Sequence, residues 1–142
     1  MKKQNFEVIE VGTKKVASRI LTQQDVETFA QISGDYNPLH LEKDFADRTI
    51  FKGRIVHGML VAGLISAALS KFDGVIVYLS QSLTFLKPVR AGDRIEATVE
   101  VVEKIEGRRR LRLRTVCISQ RGEAIIDGEA KVKILEAESS NA

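Results

Sequence analysis

From His57 to Leu69 the chain reads His-Gly-Met-Leu-Val-Ala-Gly-Leu-Ile-Ser-Ala-Ala-Leu, a run of helical length with no charged residue and no polar face. A surface helix carries an apolar stripe and a polar back, whereas a helix apolar all round has to be covered on every side. Ala62, Gly63, Ala67 and Ala68 keep this one slim enough for another layer to close over it. A membrane does not meet the need. The longest uncharged stretch, Ile55 to Ser70, is rich in Gly, Ala and Ser and shorter than the roughly 20 apolar residues a span requires. The chain must supply its own wrapping.

The second half provides it. Gly74 to Leu86 reads as a long strand, followed by a turn through Val89-Arg90-Ala91-Gly92-Asp93. Ile95, Ala97, Val99 and Val101 then alternate with Arg94, Glu96, Thr98 and Glu100, the pattern of a half-buried strand. Glu106-Gly107 predicts a turn into Arg110–Arg114, and Gln120-Arg121-Gly122 another into a strand with Ala124, Ile126, Ala130, Val132 and Ile134 on one face. Four long strands joined by short turns predict an antiparallel meander. A curved sheet of this kind, rolled around the apolar helix, solves both burial problems and makes the chain α+β. Upstream, Lys15–Ile20 reads as a short strand. Thr22 and Asp25 form a capping-box pattern ahead of Val26, Phe29 and Ala30 at helical spacing, and Gly34 ends that helix. A second short helix is expected over Glu42–Asp47, and Glu136 to Ala142 should fray. The reading is one domain over residues 1–142 with its core at about 12–135. Its open sheet edges predict a homodimer or an assembly of dimers.

Composition narrows the function. Of 142 residues, 44% are hydrophobic and 29% charged, and the formal charge is +3, so no nucleic-acid footprint is present. A single cysteine, Cys117, excludes an internal disulfide and, lying in a strand, should be a buried, inert thiol. Two histidines and one cysteine in unrelated contexts predict no metal site. Gly53, Gly58 and Gly63 lack the spacing of a phosphate loop, and no Gly-x-Ser-x-Gly elbow occurs. Lys87, Arg90 and the run Arg108-Arg109-Arg110 are expected to be solvated surface charges. No apolar signal segment follows Met1-Lys2-Lys3, which points to a cytoplasmic protein.

The chemistry concentrates in Ser33-Gly34-Asp35-Tyr36-Asn37-Pro38-Leu39-His40. Gly34 stops the helix and Pro38 drives Asn37 to extended geometry, so Asp35 and His40 should sit on a stiffened turn rather than in regular helix. A carboxylate and an imidazole held there can share a proton and grip one water molecule, the minimum for acid–base chemistry near neutral pH. The ordinary alternative is a solvated turn. At His57-Gly58-Met59 the amides that open the apolar helix lack intrahelical partners and can meet a developing oxyanion; the ordinary alternative is a helix start beside the core. Ser66 sits in the same helix, where bonding back to a carbonyl one turn earlier is the plainer reading.

Phe29 through His40, with Ala46 six positions on, resembles the signature of the MaoC-like (R)-specific enoyl-CoA hydratases. Ile55-Val56-His57-Gly58-Met59, Tyr78 to Phe85 and Pro88-Val89-Arg90-Ala91-Gly92-Asp93 are similar to that family's later blocks, and the likeness covers roughly residues 12–134. The resemblance implies a hot-dog fold and a homodimer that takes acyl-CoA along its interface. It implies reversible addition of water to a trans-2-enoyl-CoA to give an (R)-3-hydroxyacyl-CoA. Asp35 and His40 then correspond to the catalytic pair and Gly58 to the oxyanion amide. Asn37, Ser66 and His57 complete the supporting and substrate-binding set. Coenzyme A enters as part of the substrate and no separate cofactor is implied. Three other readings stay open: a thioesterase of the same fold, an acyl-CoA-binding subunit without turnover, and a dehydratase acting on acyl carrier protein or on a branched or polar acyl-CoA. For Asp35 to donate a proton at neutral pH, burial must raise its pKa above the ordinary value of about 3.9.

Overall fold

The computed structural model describes residues 5–136. Its elements are α1 (Asn5–Val8), β1 (Lys14–Ile20), α2 (Gln23–Ser33), α3 (Pro38–Leu41), α4 (Lys43–Asp47), α5 (Gly58–Leu69), β2 (Val75–Phe85), β3 (Arg94–Ile105), β4 (Arg110–Ser119) and β5 (Ala124–Leu135), with a 3-10 turn at Glu106–Arg108. The five strands form one antiparallel sheet packed on α5, so the chain has the hot-dog fold. Ile95, Ala97, Val99 and Val101 of β3 and Leu111 and Leu113 of β4 point inward against Val61, Ile65 and Leu69 of α5. Each such large aliphatic side chain contributes about 1.5–3 kcal/mol by leaving water.

The strand order is β1-β3-β4-β5-β2, which corrects the expected four-strand meander. Only β3, β4 and β5 follow one another as hairpins. The segment from Leu86 to Asp93, with Pro88 in it, is too long for a tight hairpin turn and carries the chain across the sheet, so β2 pairs with β5. β1 pairs with β3, Ala17 facing Ala97. β1 and β2 are therefore the two edges.

Other expectations shift for local reasons. α5 is not covered on every side by its own chain: Met59, Gly63, Ser66 and Ala67 are exposed on one face. On β5 a register shift beside Ile118 exposes Ala124 and buries Ile125 together with Ile126. Of Arg108–Arg110 only Arg108 is exposed as expected, while Arg109 and Arg110 are half-buried. Arg109 turns back at φ 53°, donates to the Ile134 carbonyl and to Glu136, and lies over the Phe6 ring. Glu136 does not fray, because Arg109 and the Asn5 amide both donate to it; residues 137–142 lie outside the described part. Arg90 is not a free surface charge either, since its guanidinium donates to the carbonyls of Phe51 and Arg54. Cys117 is buried as expected, and desolvation pushes its thiol up to about 12. Among the described residues no helix is long and apolar enough to cross a membrane.

Candidate active site

The segment carrying Asp35 and His40 is built from side chains that brace their own backbone. Thr22 and Asp25 close the expected capping box at the start of α2. Gly34 ends that helix at φ 81°, a left-handed turn that glycine adopts without strain. The Ser33 hydroxyl donates to the Phe29 carbonyl and accepts from the Asp35 amide at 3.1 Å. The Asp35 carboxylate accepts from the Asn37 amide at 3.2 Å, and the Asn37 side chain from the Leu39 amide at 3.0 Å. Asn37 is thus the N-cap of α3, with Pro38 at its first turn. His40 sits on that single helical turn, which corrects the expectation that the segment is free of helix. Pro38 blocks helix only before itself, and its own φ starts one.

His40 is buried, and its Nδ1 lies 2.8 Å from the Ile55 carbonyl. A carbonyl only accepts, so Nδ1 carries the hydrogen and Nε2 is left as the basic nitrogen. Desolvation holds the ring's pKa below its ordinary value, with the neighbouring His57 adding to that; the Ile55 carbonyl and Asp35 oppose it. His57 is 1% exposed and donates from Nε2 to the Asp35 carbonyl at 3.0 Å. The two imidazoles stack with centroids 3.9 Å apart.

These groups line one cavity of about 430 Å³, together with Gly58, Phe51, Val61, Phe85 and Ile126. Its wall is largely apolar. α5 begins at this cavity, and the first-turn amides of Gly58 and Met59 have no intrahelical acceptor. Among the predicted site residues, Asp35, His40, His57 and Gly58 are brought together. Asn37 supports the loop from outside the lining, and Ser66 lies exposed on the open face of α5. Asp35 is itself exposed, so the burial expected of it is not supplied by the chain's own packing.

Ligating atoms of Asp35, His40 and His57 lie within 4.8 Å of one another. The premise that the two histidines belong to unrelated contexts holds along the chain and fails in space. Yet tetrahedral ligands of zinc stand about 3.4 Å apart with lone pairs converging. Here one nitrogen of each ring is committed to a carbonyl, and stacked rings tilted by only 31° keep their in-plane lone pairs in nearly parallel planes, which disfavours convergence on one ion. The arrangement suits proton transfer better than a metal cage.

Sequence reasoning missed the Ile55 carbonyl, because a main-chain acceptor leaves no side-chain signature. It also missed Phe51 and Phe85, which reach the cavity from a loop and from the end of an edge strand. Lys87 also lines the cavity and pairs with Glu123 at 3.4 Å.

A model of the MaoC like domain matches residues 5–121. A 3-hydroxybutyryl-CoA dehydratase of Methylorubrum extorquens is 47% identical over 96% of this chain and 87% of its own length. An (R)-specific enoyl-CoA hydratase of Rhodospirillum rubrum is 40% identical over 91% of this chain and 90% of its own. The solved structure of an R-hydratase from Pseudomonas aeruginosa, in its unliganded form, superposes with a TM-score of 0.86 at 37% identity, covering 96% of this chain and 92% of that one. With the signature segment, the sheet-wrapped helix and these matches in agreement, the chain belongs to the MaoC-like domain family.

Proposed function

We propose that this chain is an (R)-specific enoyl-CoA hydratase, adding water reversibly and syn across trans-2-enoyl-CoA to give (R)-3-hydroxyacyl-CoA. The single observation that carries the reading is the basic Nε2 of His40, oriented by its Nδ1–Ile55 bond and sharing a cavity with Asp35 and the Gly58 amide. His40 Nε2 takes a proton from water as the oxygen bonds to carbon 3. The electron pair of the double bond moves to the thioester oxygen, where the Gly58 amide and the positive end of α5 stabilise it. Asp35 delivers a proton to carbon 2 as the enolate collapses, and the proton on His40 restores Asp35.

The protein acts as a single-domain homodimer or assembly of dimers in the cytoplasm, and coenzyme A is the only cofactor-like group, carried by the substrate. The unpaired outer edge of β2 and the exposed apolar face of α5 support the assembly. The test is crotonyl-CoA hydration, followed by loss of the conjugated absorbance and chiral analysis of the product. Turnover to the (R) product is expected. Release of free thiol without hydration would favour a thioesterase, and binding without either reaction a non-catalytic subunit.

A further inference from the structure

His57 is the most enclosed polar side chain in the cavity wall, and the proton transfers above leave it no step to perform. Its contacts nevertheless reach each part of the site. Nε2 donates to the main-chain carbonyl of Asp35 at 3.0 Å, across 22 residues of sequence. One ring face lies against His40 at 3.9 Å between centroids, and Phe29 packs on the ring at 4.8 Å. Its own main chain is the N-cap of α5, next to the Gly58 amide. Among the described residues nothing bonds the buried Nδ1, and the ring's one protein hydrogen bond goes to Asp35.

Resting on the hydratase reading, we infer that His57 is a positioning residue. Its N–H anchors the Asp35 loop while its ring sets the plane of His40, so that carboxyl and Nε2 address the same water. This explains why a histidine is used. Phenylalanine offers the ring without the donor, and glutamine offers the donor at a similar reach without the ring. Misplacing a catalytic group by about 1 Å costs about 100-fold in rate, which is the loss such an anchor prevents.

The test compares His57→Phe and His57→Gln, with thermal melts to verify folding. His57→Phe should lose kcat by about 10- to 100-fold with KM nearly unchanged, because aim rather than substrate contact is lost. His57→Gln, which keeps the donor and lacks the ring, should recover part of that kcat and stay below wild type. The charged or titratable neighbours of His40 are Asp35 and His57, with the Ile55 carbonyl on Nδ1. Removing His57 takes away one of the influences that lower the His40 titration, so its midpoint, followed by NMR, should rise in both variants. A rise in KM at constant kcat would overturn the inference in favour of substrate contact. So would wild-type kcat in both variants, or glutamine doing no better than phenylalanine. If His57→Phe does not fold, His57→Gln decides, since an unmoved His40 midpoint there overturns the coupling. That titration is read on the protein alone, so inactivity of the wild-type chain would sink the hydratase reading separately.

Discussion

A methyl group added to Gly58 would lie 2.6 Å from the edge of the Phe85 ring. Glycine at this helix start is therefore set by packing as well as by access to its amide. Gly58→Ala should lower the melting temperature and reduce kcat/KM by about 100-fold, as the ring or the helix start is displaced. Adding Phe85→Leu should recover stability more than rate, because the new methyl still stands at the amide. Melts and crotonyl-CoA kinetics on the pair check this, and full recovery of the rate would contradict it.

Asp35→Asn keeps an oxygen able to accept the Asn37 amide, so it isolates chemistry from loop geometry. It should cost about 100- to 10,000-fold in kcat, and His40→Ala a loss of similar size. Steady-state hydration rates decide; a wild-type rate in either variant removes that residue from the mechanism.

Because burial lowers the His40 titration, the acidic limb of kcat/KM should fall below the ordinary histidine value of about 6.5. The same shift carries a stability sign. The folded state holds its proton less tightly than the unfolded chain, so the contribution is complete above about pH 6.5 and is lost as pH falls through the folded midpoint. Denaturant titrations across this range should show stability declining on the acid side, and His40→Ala should flatten that part of the slope.

Asp93 accepts from the Arg90 amide, from Gln120 and from Arg121, which ties the turn before β3 to the β4–β5 hairpin. Burial opposes its ionisation, but these donors hold its pKa below the ordinary value. Asp93→Ala should destabilise the fold by about 1–2 kcal/mol, since it removes a buried acceptor from the half-buried Arg90 amide, while Gln120 and Arg121 are exposed and can turn to water. The activity of the folded fraction should persist. Urea unfolding measures the first outcome and active-site-normalised rates the second.

Leu79 sits at the register shift on the outer edge of β2 and is exposed. If that edge joins two subunits, Leu79→Lys should shift sedimentation at micromolar concentration toward monomer and lower activity in parallel. An unchanged dimer would move the interface elsewhere.

What could be read along the chain was whatever local chemistry encodes. Thr22 and Asp25 announced a helix start, Gly34 its end, and the alternation from Arg94 to Val101 a half-buried strand, because these signals act within a few residues. The signature segment likewise exposed Asp35 and His40 as the pair to watch. Strand order was not local. Whether β2 joins β3 or β5 depends on where Leu86 to Asp93 leads the chain, and no side-chain pattern within β2 records its partner. Tertiary structure alone also set His57 against His40, put the Ile55 carbonyl on Nδ1, left Asp35 in the open and turned Ser66 outward. Those relations join residues 15 or more positions apart or main-chain atoms common to every amino acid, so they exist only once the sheet has closed around its helix.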